Sequence, residues 1–329
     1  MTTIKDIAEL AGVSRTTVSR VLNRSGYVSE AAEARVMEVI EETGYIPSEQ
    51  AKAMRTKQTK VIGVVLPKIS TETVSRTVDG IDTKLSEHGY HLLLANTNLD
   101  PAKEIEHLKL LQSRRVDGII IVATNINDQL LKMIERIKEP VVAVGQDIPG
   151  LPCVLYNDYE ASRDVTDHLL QKGHRHIGFI GVSEQDRAVG HERLRAFRDT
   201  MASWGCPVEE NWVQQGVFDI ESGYEAMKQI IETSNVRPTA VFAVTDRLAI
   251  GAMEYVRSLG WKIPEDISFI GIGSSDLSKY SSPKLSTVDY YNEQAGMKTA
   301  ELLLDYLRGD KKAPEKFIMN YGLIERNSI

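Results

Sequence analysis

The sequence predicts two kinds of fold in one chain: an all-α helix-turn-helix headpiece at the N-terminus, and an α/β body of two parallel-sheet lobes. Near the N-terminus, apolar residues recur at the three- and four-residue spacing of helices. From Val61 onward, short β-branched runs alternate with amphipathic helical stretches. The length of 329 residues and the apolar content of 42% also suffice for two or three folding units.

A capping pattern marks the first helix. Thr3 and Asp6 have capping-box spacing, which predicts a helix over about residues 4–11, and Gly12 then supplies a turn. Ser14 can cap a second helix. The apolar face of this helix carries Val18, Val21 and Leu22, and its outward face carries Thr16, Ser19, Arg20 and Asn23.

A third helix is predicted over residues 29–43, with Gly44 at its C-terminal cap. Its inward residues are Val36, Val39 and Ile40. Three short helices with a glycine turn indicate a helix-turn-helix unit. Its outward polar row suits the major groove, where Arg15 and Arg20 are candidates for contacts to guanine.

The charge distribution favours this interpretation. The whole chain carries a net charge of -7, but residues 1–60 contain nine basic and eight acidic residues. No acidic residue occurs between Glu9 and Glu30. Basic charge is therefore concentrated near the N-terminus, as expected of a surface that approaches phosphates.

The run from Thr3 to Asn23, TIKDIAELAGVSRTTVSRVLN, followed by Gly44-Tyr-Ile-Pro47, resembles the headpiece of the lactose/galactose repressor family of bacterial transcription regulators. The resemblance implies roles in DNA binding for a set of headpiece residues. Arg15, Thr16 and Arg20 are implied to contact bases. Thr17, Ser19 and Asn23 are implied to contact phosphates, and Thr3 and Ser14 complete the predicted DNA-binding surface.

Residues 47–60 form a predicted hinge that is too short to be a stable helix alone. The resemblance implies that it becomes helical on operator DNA and that Ala51 and Met54 contact the minor groove. Met54 stands where a leucine wedge is usual, and Ser48 replaces a commoner asparagine. A solvated linker is the alternative.

In the body, predicted strands and helices alternate, which indicates parallel sheets covered by helices on both faces. The strands are predicted at residues 61–66, 91–95, 118–122, 141–144, 176–180, 213–217, 240–244 and 268–271. The helices are predicted at residues 74–88, 102–114, 128–138, 160–172, 187–204, 222–233, 246–259 and 292–307.

The family resemblance continues through Gly173–Gly181, Thr245–Gly251 and Ile263–Gly273. It implies the fold of periplasmic sugar-binding proteins and a homodimer. The predicted domains are a headpiece over 1–46, the hinge over 47–60, and an effector-binding and dimerisation domain over 61–329. Lobe one is expected at about 61–160 plus 291–320, and lobe two at about 161–289 plus 321–329.

An effector is expected between the lobes, at the carboxyl ends of the strands. Asp246 could accept bonds from sugar hydroxyls or simply cap a helix, and Phe218 could stack on a sugar or belong to the core. The resemblance implies that Arg193 corresponds to an arginine that binds sugar hydroxyls in this family. The complete set of predicted ligand-binding residues is Lys68, Arg76, Gln146, Asp186, Arg193, Phe218, Asp246, Ser274 and Ser275.

Two segments, residues 67–76 and 181–190, resemble the sucrose and trehalose repressor branch. Lys68 and Arg76 are then candidates for holding the phosphate of a phosphorylated sugar, or are ordinary surface charges. Gly273 stands where a ligand-binding aspartate is common, so Ser274, Ser275 or Asp276 is expected to take over that contact.

Other classes of protein are less compatible with the sequence. No nucleophile, base or metal set converges, and His168, His174 and His176 lack a ligand framework for zinc, so neither an enzyme nor a cofactor is expected. Cys153 and Cys206 are expected to be reduced. No membrane span or secretory signal is apparent, which predicts a cytoplasmic protein.

The predicted function is repression of a carbohydrate-utilisation operon. Double-stranded palindromic DNA and a sugar or sugar phosphate, such as sucrose, trehalose or a 6-phosphate of either, are the expected partners. Two alternatives remain: control by a protein corepressor, as in catabolite-control regulators, and a sugar-transport receptor. The headpiece opposes the second alternative.

Overall fold

The computed structural model describes residues 2–45, 58–124, 126–234, 236–310 and 313–329. Contacts divide the chain into two compact units, Met1–Thr59 and Lys60–Ile329. Ser48, Ala51 and Met54, the residues that carry the hinge prediction, lie outside the described residues.

Within residues 2–45, the first unit contains three helices: α1 (Ile4–Leu10), α2 (Arg15–Asn23) and α3 (Glu30–Thr43). The capping box begins α1, because the Thr3 amide donates to Asp6 Oδ2 at 2.8 Å and the Thr3 hydroxyl accepts from the Asp6 amide. Gly12 takes the positive φ of +64° that the following turn requires. The local signals in the sequence thus produce the predicted helices, with Ser29 at the N-cap of α3 rather than inside it.

The inward faces of the three helices form one small core. Ile7, Val18 and Val36 are fully buried, one from each helix. Leu22, Val39 and Ile40 pack against this cluster as half-buried side chains. The apolar periodicity of the sequence therefore places the helices as predicted and leaves the polar row of α2 outside the core.

The second unit contains two six-stranded sheets, each covered by helices. The strands are β1 (Val61–Leu66), β2 (His91–Asn96), β3 (Gly118–Val122), β4 (Val141–Val144), β5 (Cys153–Leu155), β6 (Ile177–Gly181), β7 (Val213–Gln215), β8 (Ala240–Ala243), β9 (Ser268–Ile272), β10 (Ser286–Asp289), β11 (Lys316–Ile318) and β12 (Gly322–Ile324). The helices are α4 (Glu72–Ser86), α5 (Pro101–Ser113), α6 (Asp128–Ile134), α7 (Asp158–Gln171), α8 (Arg193–Ser203), α9 (Ile220–Glu232), α10 (Asp246–Ser258), α11 (Asp276–Tyr280) and α12 (Asn292–Arg308).

The sheets define two lobes. The strand order is β11-β5-β4-β3-β1-β2 in lobe one and β12-β10-β9-β8-β6-β7 in lobe two. All neighbouring strands are parallel except β10 and β12, which are antiparallel. The chain passes between the sheets after β5, after β10 and after β11, so three connections join the lobes.

The central strands are continuous apolar runs because helices cover both faces of each sheet. Ile119, Ile120 and Ile121 of β3 are all fully buried, and β9 is buried along its whole length. At the edge of lobe one, β2 is more exposed. Among the described residues, no helix is long and apolar enough to cross a bilayer.

The structure departs from the predicted elements mainly at irregular or short segments. The helix predicted over 187–204 is divided into a π-helical turn, Arg187–Glu192, and α8. Gly190 lies in that turn, where a Cβ would overlap the Ser183 carbonyl oxygen. Strands β5, β10, β11 and β12 were not predicted, because runs of three or four residues carry little periodicity.

Candidate functional site

The exposed face of α2 carries the side chains predicted to read DNA. Arg15, Thr16, Arg20 and Asn23 are exposed, whereas Ser19 is half-buried. The Asn23 amide donates to the Ser19 hydroxyl at 3.2 Å. The five side chains therefore lie on one short helix without an acidic neighbour, as contacts with bases and phosphates require.

The remaining headpiece candidates support the ends of helices. The Ser14 hydroxyl accepts from the Thr17 amide at 3.1 Å and lies 2.9 Å from the Thr17 hydroxyl. Thr3 caps α1. Thr3 therefore fixes the start of α1, and Ser14 and Thr17 fix the start of α2. Ala51 and Met54 lie outside the described residues.

A cleft with a volume of about 150 Å³ lies between the two lobes of the body, and both lobes contribute to its lining. The sequence-predicted residues that line it are Lys68, Gln146, Asp186, Arg193, Phe218, Asp246 and Ser275. Arg76 and Ser274 do not line the cleft, which differs from the prediction.

Arg193 and Asp158 form the buried charged centre of the cleft. Arg193 Nε donates to Asp158 Oδ1 at 2.7 Å, and Arg193 Nη2 lies 2.6 Å from the same oxygen. Arg193 Nη1 donates to the Val244 carbonyl oxygen. Because a guanidinium has five N–H groups, these contacts leave donors for a ligand.

Tyr290 completes this centre. Its hydroxyl donates to Asp158 Oδ1 at 3.1 Å, and the Arg193 guanidinium lies 5.3 Å from the centre of its ring. Burial raises the pKa of Tyr290 well above its usual value, so the hydroxyl keeps its proton. Tyr156 stacks on Tyr290 with ring centres 5.0 Å apart, which joins the segments after β5 and β10.

Asp246 lines the cleft, but protein hydrogen bonds engage both of its carboxylate oxygens. Oδ2 accepts from the amide and hydroxyl of Ser275 at 2.7 and 2.8 Å, and Oδ1 accepts from the Thr287 hydroxyl. Burial raises the pKa of Asp246, while these bonds oppose the rise. A Cβ at Gly271 would lie 2.6 Å from Oδ1, so the absence of a side chain there makes room for the carboxylate.

Of the residues expected to replace the missing aspartate at Gly273, Ser275 and Asp276 already use their side chains in bonds within the protein. The Ser275 hydroxyl donates to Asp246 and also caps α11 through the Ser278 amide. Ser274 presents its carbonyl oxygen to Arg76 Nη1 at 2.7 Å. Asp276 is exposed and lies 3.3 Å from Arg76 Nη2. Arg76 therefore ties lobe one to lobe two beside the cleft.

Two further polar contacts cross between the lobes. The Asp276 amide donates to the Glu72 carboxylate at 3.1 and 3.2 Å. Arg247 Nη2 donates to the Ser70 carbonyl oxygen at 2.9 Å. Together with Arg76, these contacts hold the segment around the start of α4 against lobe two.

Another bridge between the lobes lies inside the cleft, where Gln146 Nε2 donates to Asp186 Oδ1 at 2.8 Å. Gln146 follows β4 of lobe one, and Asp186 precedes the π-helical turn of lobe two. Asp186 also caps that turn by accepting from the Val189 amide at 2.9 Å. Burial raises the pKa of Asp186 to about 6.

Phe218 and Lys68 line other parts of the cleft. Phe218 is half-buried, packs against the core of lobe two, and also faces the cleft, so both roles considered for it are compatible with its position. Its φ of +57° directs the chain from β7 into α9. Lys68 is half-buried and follows β1 after Pro67.

Several residues that line the cleft were not predicted from the sequence. These residues are Tyr156, Asp158, Thr245, Arg247, Tyr290 and Asn292. Each follows the carboxyl end of β5, β8 or β10, where parallel α/β sheets place their ligands. That rule predicts Thr245 and Arg247, which follow β8. It could not predict the residues after β5 and β10, because these two segments were not predicted as strands.

Comparison with known proteins relates both units to one family. Residues 3–48 match the family of bacterial regulatory proteins called the lacI family, and residues 166–329 match the periplasmic binding protein-like domain. The whole chain aligns with the HTH-type transcriptional repressor PurR of Aliivibrio fischeri strain MJ11, at 33% identity over 98% of that protein. The chain belongs to the lacI family. It is therefore a DNA-binding transcriptional repressor, and its family is one of regulators rather than enzymes.

Solved structures of transcriptional regulators have the same fold. The complex of the transcriptional regulator CelR with cellobiose has a TM-score of 0.77 at 28% identity, with all of both chains covered. The lac repressor dimer bound to operator and the anti-inducer ONPF has a TM-score of 0.88 at 23% identity, with 99% of this chain and 98% of that chain covered. The predicted fold class is confirmed. The curated relatives at 31–33% identity are PurR repressors and not sucrose or trehalose repressors, so the comparisons do not support that branch.

Proposed function

We propose that this lacI-family protein is a homodimer that binds a palindromic operator through α2 and is released when a sugar or sugar phosphate occupies the cleft. The observation that carries the proposal is the construction of the cleft. Its walls come from both lobes, and the bond between Gln146 and Asp186 crosses it. A ligand that binds there contacts both lobes and therefore favours one spacing between them over others.

Because ligand binding and DNA binding are linked, a ligand that favours one spacing between the lobes also changes the affinity for the operator. If the ligand binds more tightly to the lobe arrangement that binds the operator poorly, it lowers operator affinity by the same factor by which DNA lowers ligand affinity. No bond is made or broken in the process. A dimer is required because two headpieces related by a two-fold axis match the symmetry of a palindrome. Binding to the operator also implies a cytoplasmic protein.

The lining of the cleft favours a carbohydrate effector. Phe218 offers a ring to the apolar face of a sugar, and Arg193, which lines the same cleft, retains N–H donors. The likeness to a regulator solved with cellobiose supports a ligand of disaccharide size. We therefore propose a disaccharide such as sucrose or trehalose, or its 6-phosphate.

Selection from a random duplex library tests the DNA part of the proposal. The full chain is expected to enrich a palindrome and to bind it as one dimer, measured by light scattering and fluorescence anisotropy. Enrichment of no palindrome over random duplex, or binding as a monomer, would contradict the proposal.

The effector part is tested on the same complex with sucrose, trehalose, cellobiose, sucrose 6-phosphate and trehalose 6-phosphate. At least one of them is expected to lower operator affinity. Hypoxanthine serves as a planar ligand without a sugar ring, because a planar heterocycle could also stack on Phe218. Release by hypoxanthine alone would replace the carbohydrate proposal, and tighter DNA binding in the presence of a sugar would reverse the direction of control.

A further inference from the structure

The contact between Gln146 and Asp186 leaves hydrogen-bonding capacity unused inside the cleft. Asp186 Oδ1 accepts from Gln146 Nε2 and from the Val189 amide. Asp186 Oδ2 and Gln146 Oε1 are buried, and neither has a partner within the described residues. Only 7% of Asp186 and 3% of Gln146 is exposed, so bulk water does not readily compensate these atoms.

The two atoms without partners are both acceptors, and this restricts the chemistry of a ligand beside them. A hydroxyl group donates one hydrogen bond, so neighbouring hydroxyls of a sugar can serve both oxygens. A phosphate or carboxylate carries only acceptors when ionised and would be repelled by an ionised Asp186. Asn292 Nδ2, a third buried atom without a partner, belongs to a residue that lines the same cleft and can donate to a hydroxyl oxygen.

We propose that Gln146 and Asp186 read the hydroxyl groups of an uncharged sugar unit and that occupation of this pair releases a proton from Asp186. The inference rests on the proposed function, since it concerns the effector of the same cleft. It adds a specificity for hydroxyl donors at this position and a dependence of effector binding on pH. A phosphate on the effector, if present, lies elsewhere in the cleft.

The direction of the pH dependence follows from the surroundings of Asp186. Burial raises its pKa to about 6, with Asp158 acting in the same direction and Arg193 and the amides of Val189 and Ala188 acting against it. The side chain that approaches from lobe one, Gln146, is neutral. On the same turn, His191 lies 3.1 Å from Glu184, and both are exposed.

A hydroxyl that donates to Asp186 stabilises the ionised carboxylate and lowers its pKa in the complex. Below about pH 6, binding must displace a proton, so affinity decreases as the pH falls. From about pH 8 to about pH 5, the dissociation constant is expected to rise about tenfold and to change little above about pH 7. A group that donated its own proton to the ligand would give the opposite slope.

Isothermal titration of the full chain with sucrose, trehalose and cellobiose tests the inference. These sugars have no group that titrates in this range, so any dependence of the dissociation constant on pH comes from groups of the protein. Titration near pH 6 in two buffers of different ionisation enthalpy measures the protons released, which are expected to approach about one half per site, because free Asp186 is about half protonated at that pH. The side chain in Asp186→Asn keeps an oxygen that can cap the π-helical turn, but it cannot titrate. Sugar binding by this variant should therefore show neither the pH dependence nor the release of a proton.

Asp147→Asn is the matched control, because Asp147 adjoins Gln146 but is exposed and pairs with Lys316 at 2.6 Å. This variant should keep the wild-type slope. Wild-type affinity that is constant or rises as the pH falls, a slope retained in Asp186→Asn, or binding of none of the three sugars would overturn the inference. Operator release is measured separately, so a slope without release would contradict the proposed function and leave this inference standing.

Discussion

Arg193 and Asp158, 35 positions apart in sequence, form an ion pair in which each side chain is only 5–6% exposed. Tyr290 donates to the same carboxylate, so one acidic side chain holds two elements of the cleft wall. Removing water from such a pair is costly, and the cost is offset only while both partners are present. The pair therefore belongs to the stability of lobe two as well as to its ligand site.

Asp158→Ala is expected to lower the free energy of unfolding by about 3–5 kcal/mol, because it leaves the Arg193 charge buried without its partner. Urea denaturation followed by tryptophan fluorescence measures this loss in the relevant lobe, since Trp204, Trp212 and Trp261 all lie in lobe two. Arg198→Ala breaks an exposed pair with Glu210 and serves as the control. Its loss should stay below about 1 kcal/mol; equal losses in the two variants would argue against a special role of the buried pair.

Arg20→Ala tests base reading by the headpiece. A bidentate contact to guanine discriminates by about 1–3 kcal/mol, so affinity for the selected operator should fall about tenfold to a hundredfold. Affinity for random duplex should fall much less, because that binding depends on phosphates. Arg35→Ala removes another exposed arginine, from α3, and should leave the ratio of the two affinities unchanged. An equal loss on both DNAs in Arg20→Ala would exclude base reading.

The headpiece and the central strands were predictable because their signals are local. Thr3, Ser14 and Gly44 mark helix ends, and the buried runs of β1 and β3 are apolar without interruption. The bond of Gln146 to Asp186 joins residues 40 positions apart on different lobes, and no local pattern predicts it. The sequence identified both residues as ligand candidates without revealing that they contact each other.

Asp246 shows a different limit of sequence reasoning. Its position after β8 suggested a free carboxylate or a helix cap, but Thr245 is the cap, and the carboxylate is bonded to Ser275 and Thr287. Those partners approach from β10 and from the loop after β9. Only the register of the assembled sheet brings them together, so the sequence could give the residue but not its partners.

Asp246→Ala is accordingly expected to reduce stability as well as the response to effector. The buried amide and hydroxyls that lose their acceptor should cost about 1–3 kcal/mol in the free energy of unfolding. The loop that contains Ser275 should then move and weaken effector binding. Asp289→Ala, in β10, removes a carboxylate that accepts from the Tyr291 amide and should cost less. Urea denaturation and sugar titration measure the two effects; wild-type stability with lost effector binding would instead indicate a direct ligand contact.

Lys68→Met tests whether the effector carries a phosphate. Methionine keeps most of the apolar stem but removes the positive charge from the cleft wall. If Lys68 pairs with a phosphate, affinity for trehalose 6-phosphate or sucrose 6-phosphate should fall about tenfold to a hundredfold, because a charged hydrogen bond contributes about 1.5–3 kcal/mol. Affinity for the neutral sugars should not change. Lys103→Met, on the exposed face of α5, is the control; unchanged affinity for both phosphates would remove Lys68 from the phosphate site.

Gly251→Ala tests how closely the helices of lobe two must approach each other. A Cβ at Gly251 of α10 would overlap the Ile220 carbonyl oxygen at the start of α9, so the added methyl group requires the helices to separate. Overpacking of this kind costs about 1–3 kcal/mol or more. At Gly178 in β6, the nearest atom to an added Cβ is Val241 Cγ2 at 3.4 Å, an ordinary contact, so Gly178→Ala is the control. Thermal denaturation should separate the variants, with Gly251→Ala melting well below Gly178→Ala; a similar melting temperature would mean that α9 and α10 can shift apart at little cost.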